Sequence, residues 1–303
     1  MRKAKSKSPK TGEALAPGAC GELVEGLIGD QAFLVSCPID LYSKAKVCLY
    51  PRGSCPDSSQ KNDNWPKARQ AVTAALSAWQ ENDWEVCLEI KSTIPRSKGM
   101  ASSTADIGAA VAATALALGR IPDPVEITEL AVSIEPTDST LFSELTIFDH
   151  VTGSLYNGIG KPPPLQVMVL DWGGEIESAD WYQVDSPTQQ ILERQSPGAV
   201  RALELIRQGV RQGDADMLAR GATLSALLHQ AILHKPNLGE LASFARQQGT
   251  LGITVAHSGT VAGLLYPPMT KSSSENAARI LSHKFPQLRY LGTYNLIGGG
   301  LRW

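Results

Sequence analysis

The chain lacks most of the short signatures that mark common enzyme classes. It has five cysteines in 303 residues, Cys20, Cys37, Cys48, Cys55 and Cys87, with no C-x-x-C spacing. An odd, unclustered set points to neither a disulfide framework nor a thiolate zinc site. Buried reduced thiols in a cytoplasmic protein are the expectation. The five histidines are scattered, without an H-E-x-x-H pair. His150 reads as structural, and His229 and His234 as ordinary helix residues. No G-x-x-x-x-G-K-[ST] occurs, which excludes a Walker-type nucleotide loop, and no G-x-S-x-G elbow makes Ser102 a nucleophile. No apolar run reaches the ~18–20 residues of a membrane span. A formal net charge of −2 gives no global field for nucleic acid or an acidic membrane. The exception is the opening MRKAKSKSPK, with five basic residues. It lacks the apolar segment of a signal peptide and reads as a solvated tail over residues 1–12.

What is present is enough for a large core. Hydrophobic residues make up 43% of the chain, which suggests one large or two modest domains. The most informative stretch is Pro95 to Leu118. Trp84 to Ile94 alternates, with Val86, Leu88 and Ile90 on one side, and predicts a half-buried strand. Pro95 ends it. From Thr104 onward Ile107, Val111, Ala115 and Leu118 recur at helical spacing, and eight alanines lie between Ala101 and Ala117. Strand, loop and helix therefore meet at Lys98, Gly99, Ser102, Ser103 and Thr104. A helix start exposes free N–H groups at the positive end of the macrodipole, and glycine lets the backbone approach a phosphate. The same residues equally describe a serine cap on a buried helix.

Elsewhere, Ala16 to Gly26 (APGACGELVEG) predicts a strand and a sharp turn, with Glu22 beside the turn. Glu22 reads either as a solvated charge or as a carboxylate that contacts a ligand or organises a loop. Ala32 to Ile39 and Ser43 to Tyr50 predict two strands separated by Pro38 and Asp40, and Pro51 to Asn64 a loop. Trp65 to Trp79 predicts a helix, as does Asp123 to Ile134, with Asp123 as N-cap and Pro124 in the first turn. In Glu135 to Phe142 (EPTDSTLF), Asp138 reads either as a cap or as a neighbour of a substrate hydroxyl. KPPP at residues 161–164 suggests a boundary, dividing the chain into 13–160 and 161–303. Beyond it the pattern predicts a strand over Gln166 to Trp172. Helices follow over Thr188–Gln212, Asp214–His234, Asn237–Gln248 and Ser273–Lys284. Two apolar runs flank His257-Ser258-Gly259-Thr260, Leu288 to Tyr294 predicts a last strand, and GGGLRW a flexible end or tight turn.

Three glycine- and serine-rich loops in this order resemble those of the GHMP family, which includes galactokinases, homoserine kinases, mevalonate kinases and phosphomevalonate kinases. The second family motif, roughly P-x-x-x-G-[LM]-[GS]-S-S-[GSA]-A, is matched by Pro95, Gly99, Met100, Ser102, Ser103 and Ala105. Ala101 and Thr104 depart by small substitutions. The first motif is seen as Pro17-Gly18 with a shortened spacing to Gly21-Glu22, and the third, loosely, as Ser258 to Gly263. CGELVEG, GMASSTADIG, EPTDST and VAHSGTVAGLLY together look like the branch of L-threonine kinases of adenosylcobalamin biosynthesis.

The resemblance implies an α+β fold in two parts. The N-terminal part would carry the ATP loop on a β-α-β unit, and the C-terminal part would be a ferredoxin-like α/β sandwich. It implies ATP-dependent phosphorylation of the L-threonine hydroxyl, with ATP and Mg²⁺, and without nucleic-acid or membrane partners. Another small-molecule kinase such as a homoserine kinase, or a catalytically silent metabolite-binding regulator, is the alternative. Residues carried over are Pro95, Lys98, Gly99, Met100, Ala101, Ser102, Ser103 and Thr104 for the phosphates. Ser102, Ser103 and Glu135 are carried over for Mg²⁺, and Asp138 as base or orienting group. Glu22, His257, Ser258 and Gly259 are carried over for the substrate cleft. Ala19 stands where mevalonate kinases carry a lysine, so a cationic partner for Asp138 is missing there.

Overall fold

The computed structural model describes residues 8–55, 65–154, 156–174 and 187–303. Residues 1–7 of the basic tail and 56–64 of the predicted loop lie outside them. Strands β1 (Lys10–Ile28) and β2 (Gln31–Pro51) form a long antiparallel hairpin. Helix α1 (Pro66–Ala78) leads to β3 (Trp84–Ser92), which pairs with the second half of β2. Helices α2 (Ser102–Ala117) and α3 (Pro124–Val132) follow, then β4 (Leu145–Phe148) and β5 (Tyr156–Gly160). β3 and β4 both run antiparallel to β2 along different halves of it. The C-terminal part is β6 (Gln166–Asp171), α4 (Pro187–Gln212), α5 (Ala215–His229), α6 (Leu238–Gln247), β7 (Gly252–Val255), β8 (Val261–Tyr266), α7 (Lys271–Lys284) and β9 (Arg289–Asn295).

Its strands lie in the order β7-β8-β6-β9, all antiparallel, which is the split β-α-β pattern of a ferredoxin-like sandwich. A pairing of Glu22 with Val255 joins this sheet to the N-terminal one. The result is one nine-stranded sheet through both parts. The near-continuous apolar runs of β6 and β8 follow from burial on both faces. Met168, Leu170, Ala262 and Leu264 pack with α6 and α7, while Val167, Val169, Val261 and Leu265 face the main core with α4.

Helix α2 is the axis of the N-terminal part. Every residue from Thr104 to Ala115 is buried, so it is enclosed all round rather than along one stripe. Alanine makes this possible by letting backbones approach. A Cβ on Gly12 of β1 would lie 2.1 Å from the Ala113 carbonyl oxygen.

Five expectations change. The tail read over residues 1–12 ends sooner, because Lys10, Thr11 and Gly12 already pair with Leu49, Cys48 and Val47 in β1. Ala16–Gly26 does not reverse the chain: β1 runs through it, kinked by register shifts between Pro17 and Val24, with Gly21 at φ 61°. Pro38 and Asp40 do not divide β2, because the chain continues extended past the irregular stretch of β1. α5 stops at His229, leaving His234 outside it. The C-terminal GGGLRW is neither free nor a turn. Leu15 and Arg302 exchange N–H···O bonds of 2.8 and 2.9 Å, and Gly300 N–H donates to Thr140 O at 2.9 Å.

Candidate active site

The three glycine-rich segments meet backbone to backbone. A Cβ on Gly21 would lie 2.4 Å from Ala256 N, and one on Gly259 would lie 2.2 Å from Lys98 O and 2.4 Å from Gly99 Cα. Hydrogen bonds fix the same junction. Gly21 N–H donates to Gly99 O (3.0 Å), Ala19 N–H to Met100 O (3.0 Å), and Thr260 N–H to Lys98 O (3.0 Å). The loop between β3 and α2 is thus anchored by its carbonyls. Along it Ser97, Gly99 and Ala101 have φ of 56°, 74° and 54°, a left-handed residue at every second position. Alternation of this kind curls a backbone into an anion-binding nest. Helix α2 begins directly after it at Ser102. Ala101, at the capping position, makes no side-chain cap, so a serine cap is not what starts the helix.

This loop forms one wall of a cavity of about 740 Å³, within the range of a small-molecule site. Gly99, Met100, Ala101, Ser102, Ser103 and Thr104 line it, as do Glu135 and Asp138, with Glu22 and Ser258 also on the wall. Lys98 does not line it. Its Nζ is 3.1 Å from Asp171 Oδ2 and also donates to Gly174 O, so it braces the loop against β6. Asp171 in turn accepts from Thr260 Oγ1 at 2.6 Å.

Ser103 Oγ donates to Glu135 Oε1, and Lys67 Nζ holds Oε2 at 2.5 Å. Ser102, Ser103 and Glu135 offer hard oxygen donors on the wall that carries the nest. That donor set fits Mg²⁺, which takes one or two carboxylates and fills its shell from phosphate and water.

Asp138 stands before a short 3-10 turn, Ser139–Leu141, but does not cap it. Its carboxylate accepts from Ser36 Oγ (3.1 Å) and Thr104 Oγ1 (3.4 Å). Burial pushes its pKa up to about 6, against these two hydrogen bonds and helped by the charges of Glu25 and Glu135.

Glu22 is buried rather than solvated, 6% exposed. It accepts the His257 N–H at 2.7 Å. Its pKa is raised well above the usual carboxylate range by burial, then by the charges of Asp138 and Glu25. The His257 ring points away from the large cavity's lining. Its Nδ1 lies 2.9 Å from Glu25 Oε2. His229 stacks on it with ring centroids 3.9 Å apart, so His229 is not an ordinary helix residue. Glu22, Glu25 and His257 bring three donor atoms within 4.8 Å of one another. With an imidazole nitrogen as one of its three donors, that set does not suit Mg²⁺, which takes oxygen ligands.

Several side chains on the wall escaped the sequence reading. Arg96 sits over the Trp65 ring at 3.9 Å, and both line the cavity. Asp106 lines it too, bonded by Ser43 Oγ at 2.6 Å, with burial raising its pKa to about 6. His150, read as structural, is buried on the same wall with its pKa lowered by burial. Lys235, 3% exposed, donates to Ala256 O (2.7 Å) and Gly259 O (3.2 Å) and holds the third loop from beneath. Burial lowers its pKa to about 8. The Arg96–Trp65 pair and the Lys235 contacts belong to no local pattern; only the tertiary fold creates them.

Family profiles decide which group of proteins this site belongs to. The profile described as GHMP kinases N terminal domain matches residues 67–143, and GHMP kinases C terminal matches residues 202–287. The chain belongs to the GHMP kinase family. It is an ATP-dependent kinase of that family. The L-threonine kinase of Salmonella typhimurium is 35% identical over 296 residues, covering 95% of this chain and 94% of that protein. The L-threonine kinase of Citrobacter freundii is 36% identical over 255 residues, covering 83% and 85%. In fold the GHMP chain is similar to a homoserine kinase from Cytophaga hutchinsonii, with a TM-score of 0.69 at 13% identity over 100% of this chain and 99% of that one. GHMP kinases use ATP with Mg²⁺. Among the described residues, no helix is long and apolar enough to cross a membrane.

Proposed function

We propose that this protein transfers the γ-phosphoryl group of ATP to the side-chain hydroxyl of L-threonine, giving L-threonine O-3-phosphate and ADP. The product would serve the aminopropanol phosphate linker of adenosylcobalamin, in the cytoplasm. One observation carries the substrate choice: near full-length likeness to two L-threonine kinases. The geometry supports the chemistry. The nest at Ser97–Ala101 and the N-terminus of α2 receive the phosphates on backbone N–H groups, as other helix starts do. Pro95 sets the loop's entry, and Trp65 with Arg96 offers a stacking surface for the adenine ring. Ser102, Ser103 and Glu135 would hold Mg²⁺, which supplies charge neutralisation on the phosphate oxygens.

In the transfer, the threonine hydroxyl oxygen bonds to the γ-phosphorus as the β–γ bridging P–O bond breaks. Its proton passes to Asp138 Oδ2 or Oδ1, which Thr104 and Ser36 hold in place. A loose phosphoryl transition state needs little early proton removal, so orientation by Asp138 supplies much of its effect. The α-ammonium of the amino acid finds its counter-charge at Glu22. A buried carboxylate that resists ionisation alone becomes favourable once a cation is beside it. Ser258 and Gly259 close the cleft from the C-terminal part, which would begin near residue 161.

The test is purified protein with Mg-ATP and a panel of hydroxyl compounds, following ADP release. Threonine is expected to turn over with the highest kcat/KM. Turnover of homoserine without threonine would sink the assignment while leaving the kinase intact.

A further inference from the structure

A second, much smaller cavity lies behind the third loop. Its volume is about 10 Å³, and its wall includes Glu25, Ser225, His229 and His257 together with the apolar side chains of Leu192, Ala199, Leu228 and Ile232. That volume is about what a single water needs. Three buried polar atoms on the same wall have no hydrogen-bond partner among the described residues: Ser225 Oγ, His229 Nδ1 and His257 Nε2. Their residues are 2%, 4% and 3% exposed. Leaving three such buried atoms without partners costs more than ordering a water between them.

The hydrogen-bond roles follow from the neighbours. His229 Nε2 lies 2.8 Å from the His257 carbonyl oxygen, which can only accept, so the His229 proton is on Nε2. Burial, and then the charge of His257, lowers the His229 pKa to about 2. The ring is therefore neutral, and its Nδ1 is a bare acceptor. His257 Nδ1 is committed to Glu25, and its Nε2 is buried with no partner among the described residues. A water in the small cavity would donate to His229 Nδ1, bond His257 Nε2, and share its remaining capacity with Ser225 Oγ. These are the two to four polar partners a buried water needs.

We propose that this cavity binds one water molecule, and that Ser225, His229 and His257 act through it as positioning residues for Glu22. The peptide at His257 is gripped on both sides. Its N–H is given to Glu22 Oε2, and its carbonyl is held by His229. The water locks the ring stack that sets this peptide, and the peptide sets the carboxylate that faces the substrate cavity. The positioning role rests on the reading of Glu22 as the ammonium contact; the water site does not.

Two measurements separate the parts. A crystal structure of the wild-type protein at high resolution is expected to show one ordered water within hydrogen-bond distance of Ser225 Oγ, His229 Nδ1 and His257 Nε2. A dry cavity overturns the proposal whatever the substrate proves to be. Ser225→Val fills the cavity and should displace the water. KM for the amino acid should then rise about five- to tenfold, the factor carried by a lost buried hydrogen bond, with KM for ATP unchanged. Should Ser225→Val fail to fold, Ser225→Cys, whose larger sulfur takes up the space of the water and bonds only weakly, replaces it with the same kinetics. Unchanged amino-acid KM in a folded variant shown to lack the water, or an equal rise in both KM values, overturns the positioning role.

Discussion

Asp138 shows how far one side chain's chemistry depends on residues distant in sequence. In EPTDST it has the appearance of a helix cap, and sequence left capping and hydroxyl contact open. Its carboxylate instead binds Thr104, 34 residues earlier, and Ser36, 102 residues earlier. No local pattern encodes those partners. Their effect is to hold an acid whose pKa burial has raised to about 6. A raised carboxyl is ionised only above its pKa, so the form able to accept or orient a hydroxyl proton is lost as pH falls through about 6. The expected profile of kcat at saturating amino acid, where the bound ammonium keeps Glu22 ionised, is flat above that value and falls with unit slope below it. Asp138→Asn should lower kcat by a factor on the order of 10²–10⁴ and abolish that limb, with ATP binding kept, as read by isothermal titration. A profile unchanged in the variant would return Asp138 to a structural role.

Helix α2 was the most legible element, and the reason is physical. Its strand, glycine loop and alanine-rich run are contiguous, so the anion-ready start could be read without tertiary information. Its surroundings could not. Periodicity suggested one buried stripe, whereas residues Thr104 to Ala115 are all enclosed, because alanine carries little of the contrast on which periodicity depends. The close approach is set by Gly12, in a segment whose first residues looked like the end of a basic tail. Gly12→Ala forces a Cβ to 2.1 Å from the Ala113 oxygen and 2.6 Å from the Ala117 nitrogen, both backbone atoms that cannot rotate aside. Overpacking of this kind costs about 1–3 kcal/mol. A lower denaturant midpoint with an unchanged slope is the expected outcome. Equal stability would mean that α2 and β1 can slide apart freely, against the packing described.

At the scale of the whole molecule, the two family halves are one sheet, and the site is where their backbones touch. Sequence identified the three loops but not how they join, since glycine leaves no mark of what it packs against. Gly21, Gly99 and Gly259 are small because main chain occupies the space beside each of them. Lys98 then acts as a strap to Asp171 across the same joint, although its place in the loop suggested phosphate contact. Gly259→Ala tests this joint directly. Its Cβ would sit 2.2 Å from Lys98 O and 2.4 Å from Gly99 Cα and N, so the loops must separate. A shift near 1 Å in a phosphate-positioning loop lowers kcat/KM by about 10²-fold. Gly239→Ala is the control, because no atom lies within 4 Å of its Cβ position. The expected result is a large loss of kcat/KM for ATP in Gly259→Ala and none in Gly239→Ala, both variants remaining folded by circular dichroism. If Gly259→Ala kept full turnover, the junction would be a packing contact alone, and the second half would contribute to catalysis only by burying the first.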